Sequence, residues 1–545
     1  MCGIAGFCNF KEDFEENTDY WNFRLEKMRA VLAHRGNDAR GRFLKKHIGL
    51  SHSRLAIRDI LCGDQPMTRT HNGYDYTICY NGEIYNTDEL IPELSENGFV
   101  CSTTSDTEVI LYAYIHWGAD FVNRLNGIFA FAIWDAAKSR LLLYRDRVGV
   151  KPLFYAIRGD SLVFGSEPKA CFAHPAVKPE LDKQGLQELL AIGPAHTSGL
   201  SLFKDLFEVL PGHFMIYSRD GLHDETYWEL TSREHTESYR DTVAHTRFLV
   251  EDAIKRQMVS DVPVCTFLSG GIDSSIVTAI AANYMNTHGK TLNTFSFDFK
   301  DNDRYFKANA FQPERDLPYV NRMLEEYETA HSYLECDENS LFKALFAAVD
   351  AKDMPGMTDV DSSLLYFCSL VSRKNKVALT GECADEIFGG YPWFYRKELL
   401  ERYGFPWSSD VAPRLALLRD DVGLELDLSG YQAFRYEESR SKAPLLYGEV
   451  GEDESRRIIG YLNIKWFMQT LLDRMDRTSM YSELEARVPF ADHRIIEYVF
   501  NVPWHMKYQN GVEKTMLRDA FSDVLPPELL HRKNEPISKD LSSRI

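Results

Sequence analysis

The pattern of apolar and polar positions changes near the middle of this 545-residue chain. Up to about residue 228, strands are predicted at segments such as Leu50–Ile57, which presents Arg54, and Phe214–Tyr217, which follows a turn. Residues 229–240 are polar and lack an apolar period, which predicts a linker. From residue 241 onward, helical patterns alternate with apolar runs, which predicts a doubly wound parallel sheet.

The second half contains the clearest of these elements. Val243, Thr246, Leu249, Val250, Ala253 and Ile254 predict a helix. Strands are predicted at Val264–Leu268, Thr294–Phe299 and Val377–Thr380, and a helix is predicted around Pro318–Tyr327. Gly-rich loops follow the first and third of these strands. Because parallel strands place their carboxyl ends at one edge of a sheet, the two loops can face one site.

The first of these loops reads SGGIDSS, residues 269–275. Gly270 and Gly271 let backbone N–H groups approach an anion, and the following helix N-terminus adds partial positive charge. Asp273 would repel a phosphate, so we expect it to hold a Mg²⁺ ion that bridges to the phosphate. The loop lacks the Gly-Lys-Ser/Thr ending of a Walker A motif. It resembles the pyrophosphatase loop of the ATP-pyrophosphatases, which implies cleavage of ATP between its α and β phosphates.

The second loop reads GECADEIFGGY, residues 381–391. Three acids, Glu382, Asp385 and Glu386, stand beside its glycines. One acid would fit an ordinary solvated helix start, but three next to a phosphate loop favour a metal site. Farther on, Lys514 begins another predicted helix and is either a phosphate ligand or a solvated lysine.

The chain begins MCGIAGF, so removal of Met1 would leave Cys2 at the N-terminus. An α-amine has a pKa of about 7.7–8.0 and can take the thiol proton itself. The alternative is an inert cysteine behind a retained methionine.

Further motifs follow one another along the first half of the chain. His34–Asp38 predicts a turn, Arg54 lies on a predicted strand, and Tyr80–Asn86 predicts a strand end with an Asn-Gly turn. Ser105 and Glu108 have capping-box spacing at the start of a predicted helix. One face of that helix is predicted to carry Val109, Tyr112, Ala113, His116 and Trp117.

Together with Arg145–Leu153, these motifs resemble the glutaminase domain of class II glutamine amidotransferases, which are N-terminal-nucleophile hydrolases. The resemblance implies an αββα sandwich for residues 1–228. It implies that Cys2 attacks the glutamine amide and that Asn81 and the Gly82 N–H form the oxyanion hole. It further implies a glutamine pocket made by Arg54, Leu55, Ala56, Ile57, Arg58, Asn81, Gly82, Glu83 and Asp106.

Over nearly the whole chain, MCGIAGF, NGEIYN, SDTEV, SGGIDSS, GECADEIFGGY, LEARVPFADH and EKTMLR resemble glutamine-hydrolysing asparagine synthetases of the bacterial B type. This implies an ATP-pyrophosphatase domain (adenine nucleotide alpha hydrolase-like) over residues 241–545. The implied reaction joins aspartate to AMP, releases pyrophosphate, and delivers ammonia from Cys2 through an interior channel. A homodimer is implied as well.

The same resemblance implies the residues of the second site. Glu382 would act at the acyl-adenylate, Lys514 would stabilise charge on phosphorus, and Asp273 and Asp385 would share Mg²⁺. The implied ATP-binding residues are Leu268, Ser269, Gly270, Gly271, Asp273, Ser274, Ser275, Phe297, Thr380, Gly381, Tyr391 and Lys514.

Composition narrows the remaining choices. The net charge of −19 argues against a nucleic-acid partner or an anionic membrane surface. No uncharged apolar run has the length of a membrane span, and the N-terminus turns acidic at once, unlike a signal peptide. Ten cysteines without a CxxC pair argue against a disulfide framework, so we expect a cytoplasmic protein.

Four features depart from the family pattern. Asn37 replaces a proline, Cys383 replaces a glycine, the segment Met354–Ser363 differs near the acceptor pocket, and the chain after Arg532 is short.

Three alternative functions remain. The chain could amidate another carboxylate in an antibiotic, peptide or cell-wall precursor, cyclise a β-lactam or a peptide, or sense glutamine or ATP without catalysis. The presence of Cys2, Arg54, Asn81 and Asp106 argues against the cyclase. The presence of Asp273, Glu382 and Asp385 argues against the non-catalytic sensor.

Overall fold

The computed structural model describes residues 2–307, 314–408 and 410–532. Met1 and the C-terminal tail from residue 533, on which two of the sequence expectations depend, lie outside the described residues. The strands of the first half are β1 (Gly3–Asn9), β2 (Ala39–Lys45), β3 (Ile48–Arg54), β4 (Met67–His71), β5 (Tyr74–Ile84), β6 (Gly127–Asp135), β7 (Arg140–Arg145), β8 (Phe154–Arg158), β9 (Ser161–Gly165), β10 (Phe207–Glu208), β11 (His213–Ser218) and β12 (Gly221–Thr226). Its helices are α1 (Thr18–Ala30), α2 (Thr87–Glu96), α3 (Asp106–Trp117), α4 (Pro168–Phe172) and α5 (Lys183–Gln187).

These strands form two antiparallel sheets, ordered β10-β8-β9-β1-β3-β2 and β12-β11-β7-β6-β5-β4. Three apolar layers hold the sheets and helices together. One lies between the sheets and includes Leu50, Ala132 and Met215. A second packs α2 and α3 on the second sheet, and a third packs α1 and α4 on the first. Central strands are buried on both faces, as in β3, where Ser51, His52 and Ser53 are buried along with the apolar residues. The predicted αββα sandwich is confirmed.

The second half is built on a five-stranded sheet. Its strands are β13 (Val264–Phe267), β14 (Leu292–Phe299), β15 (Thr329–Cys336), β16 (Val377–Leu379) and β17 (Glu485–Arg487). Its helices are α6 (Tyr239–Arg256), α7 (Ile272–Thr287), α8 (Asn302–Tyr305), α9 (Leu317–Glu326), α10 (Glu338–Lys352), α11 (Asp359–Val371), α12 (Ala384–Phe388), α13 (Lys397–Leu400), α14 (Ala412–Leu415), α15 (Asp420–Leu426), α16 (Leu428–Ser441), α17 (Glu452–Leu462), α18 (Met468–Met480), α19 (His493–Asn501), α20 (Trp504–Lys507), α21 (Thr515–Ala520) and α22 (Pro527–Leu530).

All neighbours in this sheet run parallel, in the order β15-β14-β13-β16-β17. The order reverses between β13 and β16, because the chain proceeds outward from β13 on one side and returns to its other side for β16. Loops that follow two such strands leave a crevice between them, where ligands bind in open α/β sheets. The predicted doubly wound parallel sheet is confirmed, and both Gly-rich loops begin at this crevice.

Two predictions about individual motifs were wrong. Asn81 and Gly82 do not form a turn, because they lie inside β5 and pair with Ala130 and Phe129 of β6. Ser105 caps α3 by accepting from the Thr107 N–H, but Glu108 does not complete a capping box. It accepts hydrogen bonds instead from Arg69 and from the segment 102–103.

The buried face of α3 also differs from the prediction. Val109 and Ala113 are buried as expected, whereas Tyr112, His116 and Trp117 are only half-buried. The fully buried positions include Ile110, Leu111 and Tyr114, because α3 lies against both β5 and the neighbouring α2. Among the described residues, no helix is long and apolar enough to cross a membrane.

Candidate active sites

Cys2 lies immediately before β1. It is buried, and burial raises the pKa of its thiol, while the Leu55 backbone N–H and the Arg54 guanidinium act in the opposite direction. The Cys2 backbone nitrogen donates to Asn81 Oδ1 at 3.0 Å. A thiol held this way is positioned as a nucleophile that needs a local base to ionise.

This bond orients the Asn81 side chain and leaves its amide nitrogen, Nδ2, available as a donor. Its Oδ1 accepts from Cys2, so Nδ2 is the remaining donor, and Nδ2 is buried without a hydrogen-bond partner among the described residues. A Cβ on Gly82 would lie 2.2 Å from the Ile128 carbonyl oxygen, so only glycine fits there. An unsatisfied buried donor beside a nucleophile is the arrangement that stabilises a developing oxyanion.

Most of the remaining predicted glutamine residues line a cavity of about 30 Å³ beside Cys2, whereas Ala56 lines a different cavity. Asp106 accepts from the Tyr80 hydroxyl at 2.8 Å and from the Ile84 N–H at 3.0 Å. Glu83 lies 3.8 Å from Arg58 and 3.6 Å from Arg487, and burial raises its pKa. The lining includes Cys2, Arg54, Leu55, Ile57, Arg58, Gly82, Glu83 and Asp106. The structure therefore brings these predicted residues together, and the cavity is too small for glutamine as it stands.

The two Gly-rich loops of the second half touch each other at the crevice. A Cβ on Gly381 would lie 2.6 Å from the Ser274 nitrogen, so the loop after β16 lies directly on the loop after β13. Ser269 and Ser274 share a hydrogen bond between their hydroxyls at 3.0 Å, and Gly270 has a φ of +73° that favours glycine. Ser275 Oγ is buried without a hydrogen-bond partner among the described residues. An unpaired hydroxyl at the N-terminus of α7 fits a bound phosphate.

Lys514 lies between the two carboxylates that were predicted to hold a metal. Its Nζ is 2.6 Å from Asp273 Oδ2 and 2.5 Å from Asp385 Oδ1. Lys514 has a φ of +54° at the start of α21, and a Cβ on Gly390 would lie 2.6 Å from its Cε. The lysine therefore reaches the crevice only because its own backbone and Gly390 permit it.

These residues fit a Mg²⁺ ion. Asp273 and Asp385 converge on one point, and Asp273 Oδ1 is buried without a hydrogen-bond partner among the described residues. No group of three or more His, Cys, Asp or Glu side chains that could hold a metal occurs in the described part of the chain. Mg²⁺ commonly binds through one or two carboxylates and completes its shell with water and substrate phosphates, so two are enough.

Glu382 has a partner that the sequence analysis did not identify. Arg474 of α18 donates to both carboxylate oxygens, at 3.0 and 3.2 Å. The charged run 473–477 could have indicated such a pairing, because a helix that buries several charged side chains must provide each with a partner. Arg474 holds Glu382 at the crevice and is therefore a positioning residue.

The other predicted ATP residues fall into two groups. Leu268 and Thr380 are buried at the ends of β13 and β16, and Tyr391 donates to Glu386 Oε1 at 2.5 Å. Phe297 of β14 lies farther out and packs against Phe367, with ring centroids 5.4 Å apart. It belongs to the apolar wall beside the crevice.

Comparison with known proteins agrees with this geometry. A model of the family described as "Asparagine synthase" matches residues 245–544, and one described as "Glutamine amidotransferase domain" matches residues 1–228. The chain belongs to the asparagine synthetase family. The predicted family is thereby confirmed.

Two relatives of this asparagine synthetase family member come from Bacillus subtilis (strain 168). Glutamine-hydrolysing asparagine synthetase 3 is 48% identical over 540 residues, covering 99% of this chain and 87% of that protein. Glutamine-hydrolysing asparagine synthetase 1 is 30% identical over 568 residues, covering 98% of this chain and 86% of that protein. A solved structure of glutamine phosphoribosylpyrophosphate amidotransferase from B. subtilis, complexed with ADP and GMP, is 19% identical and covers 58% of this chain and 70% of that one. Its TM-score of 0.32 is too low to support an inference.

Proposed function

We propose that this protein synthesises L-asparagine from L-aspartate, using ATP and taking nitrogen from L-glutamine. The observation that carries the proposal is the presence, on one chain, of the Cys2–Asn81 pair and of the phosphate loops at the β13–β16 crevice. The 48% identity to a named glutamine-hydrolysing asparagine synthetase over 99% of the chain supports the same assignment.

In the first step, Cys2 Sγ attacks the side-chain amide carbon of glutamine. Asn81 Nδ2 and the Gly82 N–H donate to the oxygen that gains charge, and ammonia leaves as the thioester forms. Water then cleaves the thioester to release glutamate. With Met1 removed, the Cys2 amine takes the thiol proton and returns it to the departing ammonia.

In the second step, a β-carboxylate oxygen of aspartate attacks the α-phosphorus of ATP. The bond from that phosphorus to the bridging oxygen breaks, giving β-aspartyl-AMP and pyrophosphate. The loop 269–275 holds the pyrophosphate through N–H groups and serine hydroxyls, and Lys514 offsets the charge on the phosphate oxygens. A Mg²⁺ ion held by Asp273 and Asp385 would neutralise further phosphate charge.

Ammonia from the first site then attacks the acyl carbon of β-aspartyl-AMP. The acyl–phosphate bond breaks, and asparagine and AMP are released. Glu382, held by Arg474, is placed to accept the proton that ammonia loses. An interior channel between the two sites would keep ammonia from protonation in bulk water.

The proposal also includes the domain bounds, the location and the oligomeric state. The glutaminase domain spans residues 1–228, a linker spans 229–240, and the synthetase domain spans 241–545. The protein acts on small molecules as a cytoplasmic homodimer, without nucleic acid.

Product analysis tests the proposal. The protein is incubated with aspartate, ATP, Mg²⁺ and glutamine labelled with ¹⁵N in its side-chain amide, and the products are identified by mass spectrometry. We expect labelled asparagine, AMP and pyrophosphate in equal amounts. Glutamate without asparagine or AMP would mean that aspartate is not the acceptor, and the proposal would be abandoned.

A further inference from the structure

The guanidinium of Arg54, which the proposed function assigns to the glutamine α-carboxylate, is already occupied by its own loop. Nη1 donates to Asp64 Oδ1 at 2.9 Å and to the Ile60 carbonyl at 3.2 Å. Nη2 donates to the Asp59 carbonyl at 2.6 Å and to the Arg58 carbonyl at 3.4 Å. These four contacts account for the four N–H groups on the two terminal nitrogens.

A carboxylate that binds arginine in two places needs two N–H donors. Only the Nε–H of Arg54 has no partner among the described residues, so one terminal contact must be given up when glutamine binds. Three of the acceptors are backbone carbonyls held within the loop. The fourth, Asp64, is a side chain that is 77% exposed, and it carries the same charge as the substrate carboxylate.

Two cavities that Arg54 lines support this view. The one beside Cys2 measures about 30 Å³, enough for about one water molecule and far too small for glutamine. Arg54 also lines a second cavity of about 450 Å³, together with Asp64, Ile60 and Leu61. Because Arg54 lines both cavities, a change in its contact with Asp64 alters the wall of the Cys2 cavity as well.

We propose that Asp64 competes with the α-carboxylate of glutamine for Arg54 and thereby sets the glutamine KM of the enzyme. This rests on the proposed glutaminase function of the Cys2 site. The Asp64 carboxylate holds Arg54 and the loop 58–64 in place while the site is empty, and glutamine displaces it. Asp64 is a positioning residue, because it acts on substrate only through Arg54.

Removing the negative charge at Asp64 tests the proposal. Asp64→Asn keeps the shape of the side chain, and exposed ion pairs of this kind change an equilibrium by about two- to five-fold. We expect the KM for glutamine and the inhibition constant of glutamate to fall by that factor, with kcat for glutamine hydrolysis unchanged. A purely structural role would lower kcat or raise KM instead.

A substrate without the carboxylate gives the sharper readout. For 4-aminobutanamide, which is glutamine without its α-carboxylate, kcat/KM should be the same in wild type and Asp64→Asn. Asp205→Asn, which removes the carboxylate of an Asp205–Arg158 pair of 2.9 Å elsewhere in the same half, is the matched control and should match wild type throughout.

The two possible failures are distinguishable. An unchanged or raised glutamine KM in Asp64→Asn, with wild-type ammonia-dependent synthesis intact, would overturn the role of Asp64 alone. An equal fall in KM for glutamine and for 4-aminobutanamide would overturn it too, because the effect of Asp64 would then not depend on the substrate carboxylate. If wild type hydrolyses no glutamine at all, the proposed function itself fails.

Discussion

Arg35 Nη2 donates to Asp476 Oδ2 at 2.8 Å, although 441 residues separate the two in the chain. Arg35 also donates through Nε to the Cys2 carbonyl at 3.1 Å, and Lys151 Nζ lies 2.9 Å from the other Asp476 oxygen. All four residues are buried. One carboxylate of α18 thus pairs with two buried cations of the first half, and one of these, Arg35, also holds the backbone of Cys2.

Asp476→Ala should therefore be strongly destabilising. It leaves Arg35 and Lys151 buried without their shared carboxylate, and breaking a buried pair in this way costs about 3–5 kcal/mol. The loss appears as a lower midpoint of thermal unfolding. Asp160→Asn, which removes an exposed partner of Lys11, is the control and should change stability by less than about 1 kcal/mol. Equal midpoints for the two variants would contradict the prediction.

Cys2→Ala should separate the two activities. We expect no detectable synthesis with glutamine, but synthesis at the wild-type rate when ammonium chloride replaces glutamine. The reason is that Cys2 supplies ammonia and has no part in forming the adenylate. Both rates are measured as AMP released. Loss of the ammonia-dependent rate in a folded variant would contradict the two-site mechanism.

Asn81→Ala should lower kcat for glutamine hydrolysis by about 10²–10³-fold, the usual cost of removing one oxyanion donor. The ammonia-dependent rate should not change. Asn123→Ala, which removes an exposed amide bonded to the Asp120 carbonyl, is the control. A loss of less than about tenfold in Asn81→Ala would mean that its Nδ2 does not serve the oxyanion.

The buried pair of His196 and Glu208 predicts how stability depends on pH. His196 Nε2 lies 2.9 Å from Glu208 Oε1. Burial alone would lower the pKa of His196, but the Glu208 carboxylate outweighs it and raises the pKa from 6.5 to about 9. Burial would raise the pKa of Glu208, but His196 and Arg145 outweigh it and lower the pKa from 4.5 to about 2.

The signs of the two shifts define the pH window. The raised pKa of His196 contributes stability that is fully present below pH 6.5 and is lost as the pH rises through about 9. The lowered pKa of Glu208 contributes stability present above pH 4.5 and lost as the pH falls through about 2. Thermal midpoints of wild type and His196→Gln should differ most between pH 4.5 and 6.5 and converge near pH 9. A difference that is constant with pH would contradict the pairing.

At position 383 a glycine variant should be more stable than an alanine variant, which is the reverse of the usual order of stability. Cys383 occupies the left-handed region with a φ of +78°, where a residue with a Cβ is strained by about 1–3 kcal/mol. Its side chain is buried, so removing it also costs packing. Cys383→Gly should therefore be more stable than Cys383→Ala, although glycine ordinarily costs about 0.5–1 kcal/mol relative to alanine. Denaturation midpoints decide this, and a more stable alanine variant would show that the backbone is unstrained.

The sequence by itself determined the fold class and the family, and it predicted residues that the structure brings together around Cys2 and at the crevice. The reason is that these depend on local information. Alternating apolar runs predicted the sheets, the loop 269–275 follows its strand directly, and Cys2 is defined by its place in the chain. The loops that we propose bind phosphate are short, so their chemistry can be inferred without knowing what packs around them.

Only the tertiary structure decided which groups pair across long separations. Asn81-Gly82 has the composition of a turn, yet its pairing with β6 places it inside a strand. Arg474 at Glu382, Asp476 at Arg35 and Lys514 between its two carboxylates join residues that are 92 to 441 positions apart. Buried charges must find partners, but which partners they find depends on how the two halves pack, and that is not encoded in any local pattern.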